Sequence, residues 1–226
     1  MKVRALIVGL VVLPLMAARV AMASAAGPVV PALTDKQDFV VLELSADVRA
    51  YVTGKSWKRS CPVPLDDLRL VVVRYVDFAG ATKQGPLVVN RKYADDIASV
   101  MATLYRERFP IEHIALVDDY GANDDRSTLA NNTSAFNCRS VQGTSHWSQH
   151  AFGAAIDINP LQNPYVRATG RVLDPKAVQF KDRSLSEPGM ITAGGPVTEA
   201  FTKIGWGWGG SFSTTKDYQH FSSNGR

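Results

Sequence analysis

One stretch of the chain, residues 148–159 (Ser-Gln-His-Ala-Phe-Gly-Ala-Ala-Ile-Asp-Ile-Asn), constrains the fold most strongly. Its second half, residues 154–158, is predicted to form a short strand, in which side chains two residues apart share a face. On that pattern Asp157 faces a site beside the small Ala155, while the isoleucines on either side of Asp157 face a core. The strand is therefore expected to separate an apolar core from a polar site.

Two further groups are expected to join Asp157. His150 lies seven residues before it, and Gly153 lets the chain turn tightly enough for the imidazole to fold back toward the carboxylate. Near the end of the sequence, residues 217–221 (Asp-Tyr-Gln-His-Phe) supply a second imidazole and a second carboxylate. Since only three positions separate that carboxylate from its imidazole, the two are expected to be neighbours on one helical turn or in a tight loop.

His150, Asp157 and His220 make a set of two imidazoles and one carboxylate that suits zinc. Three protein ligands leave the fourth position of a tetrahedral zinc ion for water, which is the pattern of a catalytic rather than a structural site. Asp217 is then the natural general base for that water. Each histidine alone would be ordinary, but the four residues together favour a zinc site.

The spacing of these residues resembles that of a known family. Ser-x-His-x-x-Gly-x-Ala-x-Asp-Ile, followed by Gly-Trp-x-Trp-Gly-Gly and by Asp-x-x-His-Phe, is similar to the zinc D-alanyl-D-alanine carboxypeptidases. That family includes VanY-like carboxypeptidases and the L-alanyl-D-glutamate endopeptidases of phage lysis enzymes. The matching residues span Arg139 to Phe221. The resemblance implies one α+β domain of the Hedgehog and DD-peptidase type, with a small antiparallel sheet flanked by helices.

The resemblance also implies a role for Arg139, and the residues around Ser148 indicate one for that serine. In this family an arginine upstream of the Ser-x-His motif binds the substrate and the developing oxyanion, and Arg139 is its match. The family often has a Gly-Tyr-Arg-Ser type of sequence here, whereas residues 137–140 read Asn-Cys-Arg-Ser. Ser148 is interpreted as a residue that supports the ligands or forms a turn, because the Gly-x-Ser-x-Gly turn of serine hydrolases is missing around it.

The activity implied by the resemblance is hydrolysis of peptide bonds in the stem peptides of peptidoglycan. A D-alanyl-D-alanine carboxypeptidase is favoured over an L-alanyl-D-glutamate endopeptidase. One alternative is a non-catalytic, zinc-stabilised module that binds the cell wall, although a structural zinc needs neither Asp217 nor Arg139. Another is a lysis enzyme aimed at other cells, which is expected less because the sequence offers no attached wall-binding domain.

The first 25 residues are predicted to be a signal peptide that is removed from the mature protein. Lys2 and Arg4 precede an apolar run over residues 5–18, and residues 23–25 (Ala-Ser-Ala) form a small-x-small cleavage pattern. A membrane anchor is the alternative, but the run is too short to span a bilayer comfortably. The mature protein is therefore expected to be secreted or held in the cell envelope, without stable membrane insertion.

The predicted signal peptide also accounts for the basic charge of the chain. Without its three basic residues, the 25 Lys and Arg become 22, against 21 Asp and Glu, so the net charge of the mature protein is near +1. This balance removes the argument from composition for a nucleic-acid partner. Residues 26–38 are predicted to be a flexible lead-in and residues 39–226 the zinc peptidase domain, which is expected to act as a monomer on peptidoglycan peptides.

Cys61 and Cys138 are the two cysteines of the chain. An exported protein meets an oxidising compartment, so a disulfide is expected between them. It would close a long loop and stabilise the domain by about 4 kcal/mol in the chain-entropy model. The alternative, that both are zinc ligands, is weaker because neither belongs to a Cys-x-x-Cys pair.

The rest of the chain predicts a mixture of strands and helices. Residues 68–78 form a β-branched run that predicts a central strand, followed by a hairpin partner that begins at residues 86–89. Apolar residues at helical spacing predict a helix over residues 91–109, with Asn90 as its N-cap.

Four more segments are predicted from local composition. Residues 114–117 are expected to form a strand. Residues 118–127 are acidic without the spacing of a calcium loop, so a solvated turn is predicted. Residues 160–195 are expected to form a long strap with a short helix near residues 175–180. A last helix is predicted over residues 196–204.

Overall fold

The fold is that of a computed structural model, which describes residues 27–226. The predicted signal peptide, residues 1–25, lies outside the described residues. Within the part that is described, no helix is both long and apolar enough to cross a membrane. Residues 27–38 form neither helix nor strand, and Arg74 and Gln84 hold them to the neighbouring sheet by hydrogen bonds.

The first layer is an antiparallel sheet of three strands in the order β1 (Phe39–Glu43), β2 (Leu68–Val76) and β3 (Thr82–Asn90). The strands β2 and β3 pair along their whole length, so the predicted hairpin is confirmed. Alternate residues of β2 enter two different hydrophobic clusters, Val71 and Val73 one of them and Val72 the other. The β-branched run is therefore a central strand covered on both faces.

The second antiparallel sheet positions the polar residues of the C-terminal half. Its order is β6 (Ala155–Asp157), β10 (His220–Ser222) and β8 (Gly207–Trp208). The strand predicted around Asp157 is confirmed, and Ile156 is fully buried in the main core while Asp157 faces the other side. Two minor ladders complete the strands: β4 (His113–Ile114) with β5 (Asn132–Thr133), and β7 (Tyr165–Val166) with β9 (Lys216–Asp217).

Within residues 27–226, four α-helices pack on these sheets: α1 (Ala46–Val52), α2 (Ala94–Arg106), α3 (Asp124–Leu129) and α4 (Pro196–Lys203). Buried residues of α2 and α4 belong to the same core cluster as alternate residues of β2 and β3. The helix predicted over residues 91–109 is confirmed as α2, and the one over residues 196–204 as α4. Together these elements confirm the predicted α+β domain.

The N-cap prediction for α2 is wrong. Asn90 is the last residue of β3, because its ladder with β2 continues to Leu68. The helix begins only at Ala94, and its N-cap is Tyr93, whose side chain makes no capping hydrogen bond. The Asn90 side chain instead accepts a hydrogen bond from the backbone of Lys92.

The predictions for residues 114–117 and 118–127 are also wrong in part. The strand there is shorter, and residues Val117–Tyr120 form a 3-10 helix. The acidic segment is not a solvated turn, since α3 begins within it and Asp118 is buried. The Asp118 carboxylate accepts hydrogen bonds from the backbone and the hydroxyl of Ser56, which is distant in sequence.

The long strap over residues 160–195 carries the short helix expected in it, as a 3-10 helix over Pro175–Lys181. Arg183 holds the strap together, because its guanidinium donates to the carbonyls of Gln162, Phe180 and Ile191. The predicted disulfide between Cys61 and Cys138 is present.

Candidate metal centre

His150 is presented by a 3-10 turn over Gln149–Phe152. Ser148 is the N-cap of this turn and accepts a hydrogen bond from the backbone of His150 at 3.3 Å, which is a turn role of the kind expected for it. Gly153 ends the turn in the left-handed conformation, with φ +62°, and a Cβ there would lie 2.5 Å from the Asn90 nitrogen. Only glycine gives the chain this turn and this close approach to β3.

The register of the second sheet brings the other two predicted ligands together. His220 of β10 pairs directly with Asp157 of β6, and its Nδ1 lies 2.9 Å from the Asp157 Oδ1. The His150 Nε2 lies 3.2 Å from that oxygen and 3.3 Å from the His220 Nδ1. All three side chains are buried, so three ligand atoms of the predicted set converge on one point.

This donor set fits zinc. Ligand atoms of a tetrahedral zinc site with bonds of about 2.0 to 2.1 Å lie about 3.3 to 3.4 Å apart. The three separations between His150, Asp157 and His220 approach that spacing. Two imidazole nitrogens and one carboxylate oxygen are also the ligand types of catalytic zinc sites.

Hydrogen bonds hold the ring nitrogens and the carboxylate oxygen that point away from the centre. They therefore determine which atoms of these side chains face it. The His150 Nδ1 bonds to the backbone carbonyl of Ala135, and the His220 Nε2 lies 3.3 Å from the carbonyl of Arg226. Gln219 donates to the second oxygen of Asp157 at 3.3 Å. Sequence reasoning missed these supporting residues, because two of them act through backbone atoms that carry no residue-type signature.

In the metal-free protein, the opposite charges of Asp157 and His220 shift each other's pKa. Burial raises the pKa of Asp157, but the two neighbouring imidazoles outweigh burial and hold the pKa well below its usual range. Burial lowers the pKa of His220, but its hydrogen bond to Asp157 and the charge of that carboxylate raise the pKa to about 9. The centre is therefore an ion-paired cluster in the metal-free protein, and binding of a cation to it would release protons.

Asp217 lies beside this cluster, at the end of β9 and just before the short loop that leads into β10. It is therefore a neighbour of His220 through a tight loop, the second of the two predicted arrangements. Its Oδ1 is buried and has no hydrogen-bond partner among the described residues. Burial raises the pKa of Asp217 to about 7 against the opposing charge of His220. A carboxylate in this state can accept and release a proton near neutral pH.

Arg139 is held at the edge of the same site. Its Nη2 lies 2.9 Å from the Asp124 Oδ2 in an ion pair, and its charge lowers the pKa of Asp217, so the two residues are close. The Nε of Arg139 is buried and has no partner within residues 27–226. Sequence reasoning missed Asp124, because the acidic segment around it offered several carboxylates and no spacing that distinguished one.

The remaining histidines and the motif tryptophans lie outside the ligand cluster. The His113 Nε2 bonds to the Tyr120 hydroxyl at 2.6 Å, and His146 is exposed on the turn between Arg139 and Ser148. Trp206 is buried in the main core. Trp208 packs partly buried against that core and donates from its indole nitrogen to the Tyr218 carbonyl.

The buried His–Asp–His cluster, with an unpaired carboxylate oxygen and an unpaired guanidinium nitrogen beside it, has the composition of a metal-dependent hydrolase site. The family model described as D-alanyl-D-alanine carboxypeptidase matches residues 142–223. This span contains the three predicted ligands, Ser148 and Asp217, whereas Arg139 lies three residues before it. The match confirms the resemblance over that region and supports a peptidase of the D-alanyl-D-alanine carboxypeptidase type. Neither the curated proteins nor the solved structures gave a match.

Proposed function

We propose that this protein is an exported zinc peptidase that cleaves the stem peptides of peptidoglycan, with removal of a terminal D-alanine as the favoured reaction. The observation that carries the proposal is the convergence of three buried ligand atoms within 3.3 Å of one another. The matched family supplies the substrate class. The predicted signal peptide supplies export, which agrees with a substrate outside the cytoplasmic membrane.

The His150 Nε2, the Asp157 Oδ1 and the His220 Nδ1 would hold the ion. When bound there, zinc lowers the pKa of a water molecule and polarises the scissile carbonyl. The carbonyl groups of Ala135 and Arg226 keep the ligand nitrogens turned toward the centre. Gln219 keeps the Asp157 carboxylate in place.

Asp217 is proposed to move the proton. Its unpaired Oδ1 accepts a proton from the attacking water and later gives it to the leaving amine. Arg139 is proposed to donate its unpaired Nε–H to the carbonyl oxygen as negative charge develops on that atom. The ion pair with Asp124 limits the motion of the guanidinium.

The decisive experiment is hydrolysis of purified peptidoglycan by the mature protein, with zinc and after chelation, with the products identified by mass spectrometry. Zinc-dependent loss of a terminal D-alanine is expected. An internal cut would move the protein to the endopeptidase group. No cleavage by a protein that still binds one equivalent of zinc would contradict the proposal and favour a wall-binding module.

Asp217→Ala separates catalysis from binding. Without the carboxylate, the variant is expected to bind zinc as tightly as the wild type and to lose at least about 100-fold in kcat, because general-base catalysis contributes about 10²- to 10⁴-fold. Zinc content and turnover are measured on the same preparation. Full turnover by this variant would remove Asp217 from the mechanism.

A further inference from the structure

The Nε2 of His220, the ring nitrogen that faces away from the His–Asp–His cluster, has a hydrogen-bond partner of its own. A neutral imidazole that offers its Nδ1 to a metal carries its proton on Nε2, so the partner of Nε2 fixes the tautomer and the ring orientation. In this chain that partner is the main-chain oxygen of Arg226, 3.3 Å away. No residue-type motif marks this contact, because every residue has a main-chain oxygen.

The C-terminal turn, residues 222–226, fixes that oxygen. The Ser222 hydroxyl donates to the Arg226 carbonyl at 2.8 Å and accepts from the Arg226 backbone nitrogen at 3.0 Å. Asn224 accepts a second hydrogen bond from the same nitrogen, at 3.0 Å. Ser222 is fully buried at the end of β10, the strand that carries His220. The C-terminal turn therefore returns the chain to the outer face of its own ligand.

Gly207 leaves room for this turn. It pairs with Ser222 across the β8–β10 ladder, and a Cβ on Gly207 would lie 2.6 Å from the Cα of Gly225. A side chain at position 207 would push the C-terminal turn away from the sheet. The second glycine of the Gly-Trp-Gly-Trp-Gly-Gly stretch thus allows the close approach of residue 225 to the sheet.

We infer that the C-terminal turn is a positioning device for His220, with the Arg226 carbonyl as acceptor for its Nε2–H and Gly207 as the residue that admits the turn. The inference rests on the proposed function only in requiring that the His–Asp–His cluster binds zinc. Loss of the acceptor frees the imidazole to rotate and to change tautomer, so the ligand is less preorganised and zinc binds more weakly.

Zinc affinity, measured by competition with a chromophoric chelator, tests the inference. Deletion of residues 225–226 is expected to weaken zinc binding by about 10- to 100-fold, as for other outer partners of metal-bound histidines. Gly207→Ala is expected to weaken it in the same direction through displacement of the turn. Ser223→Ala alters the same segment but keeps the backbone hydrogen bond from residue 223 to the Ala154 carbonyl. It is the matched control and is expected to bind zinc like the wild type.

A second readout separates positioning from general destabilisation. Long-range proton–nitrogen NMR of the zinc-loaded wild type is expected to show His220 protonated at Nε2, with that proton exchanging faster with solvent in the deletion variant. Urea midpoints of the metal-free proteins are expected to change little, because residues 222–226 belong to neither hydrophobic core cluster.

The outcomes are distinct. If the deletion variant binds zinc as tightly as the wild type, the positioning role is overturned while the proposed function stands. If the wild type binds no zinc, the proposed function and the inference both fail. Weaker binding accompanied by an equally large loss of metal-free stability would assign the turn a purely structural role and overturn the inference.

Discussion

At the scale of single residues, the Arg139 guanidinium contributes several hydrogen-bond donors in addition to its charge, and one of them pairs with Asp124. The guanidinium uses Nη2 for the ion pair, and its buried Nε has no hydrogen-bond partner among residues 27–226. Arg139→Lys keeps the charge but removes the second donor, because an ammonium cannot serve two partners in a fixed fork. We expect kcat/KM to fall by about 100-fold, as for loss of one oxyanion donor, with zinc affinity unchanged.

Asp124→Asn is the companion variant. Because both side chains are partly exposed, the ion pair contributes little to stability, about 0 to 1 kcal/mol. We therefore expect a nearly unchanged thermal midpoint. Because Asp124→Asn keeps the Arg139 guanidinium, we expect a smaller loss of kcat/KM than for Arg139→Lys. Steady-state kinetics on a peptide substrate decide the matter, and an Arg139→Lys enzyme with wild-type kcat/KM would exclude the proposed donor.

His113 is expected to control part of the acid stability. Burial lowers its pKa below the ordinary value of 6.5, against the opposing charge of Glu112. The unfolded chain therefore takes up a proton at a pH at which the folded protein does not, and the free energy of unfolding falls as the pH decreases below 6.5.

The His113 effect is isolated by His113→Gln, which removes the titrating group. Urea unfolding of the metal-free wild type and variant at about pH 7.5 and about pH 5.5 brackets the transition of a histidine. The variant is expected to lose less stability over this interval than the wild type. Every other titrating group is common to both proteins, so equal losses would contradict the prediction for His113.

At the scale of elements, the tight turn at Gly153 sets the position of His150. Gly153→Ala places an alanine in the left-handed backbone conformation, which costs about 1 to 2 kcal/mol of stability. It also places a Cβ 2.5 Å from the Asn90 nitrogen. We expect the free energy of unfolding to fall by more than the backbone cost alone, and zinc binding to weaken because the turn moves.

Gly121→Ala is the control for that comparison. Gly121 has the same left-handed backbone, with φ +70°, but a Cβ there meets nothing within 4 Å. Only the backbone cost is therefore expected, without an effect on zinc. Denaturant midpoints and zinc affinities of the two variants separate the cost of the left-handed backbone from the cost of the contact with β3. Equal losses of stability would show that the contact with β3 does not matter.

Short elements were predictable where the pattern is local and strong. Alternation around Asp157 predicted β6, and helical spacing predicted α2, because each depends on residues a few positions apart. The start of α2 was missed because Asn90 pairs with Leu68 of another strand and so belongs to β3. The buried state of Asp118 was missed because Ser56, its donor, is 62 residues away.

At the scale of the whole molecule, the disulfide joins two distant parts of the domain. Cys61 and Cys138 are separated by 77 residues, and the second of them precedes Arg139. Closing a loop of this length restricts the unfolded chain and stabilises the fold by about 4 kcal/mol in the chain-entropy model. Cys61→Ser combined with Cys138→Ser is expected to lower the free energy of unfolding by about that amount.

Urea unfolding with and without a reducing agent measures this contribution. The wild type is expected to shift on reduction, whereas the double variant is expected not to respond. A wild-type midpoint that is unchanged by reduction, with free thiols confirmed by titration, would show that the linkage contributes nothing measurable to stability.

Residue types and local spacing were enough to predict the short strand between core and site and the turn at Gly153, since each follows from a few consecutive residues. They also singled out His150, Asp157 and His220, which the structure brings together as a group that could hold a metal ion. The tertiary structure alone decided which groups meet. Asp157 faces His220, 63 residues away, through the register of β6 and β10. Asp124 reaches Arg139, and the Arg226 carbonyl reaches His220. Burial, which raises the pKa of Asp217, is likewise a property of packing. These contacts depend on how distant segments pack, and no local pattern in the chain records them.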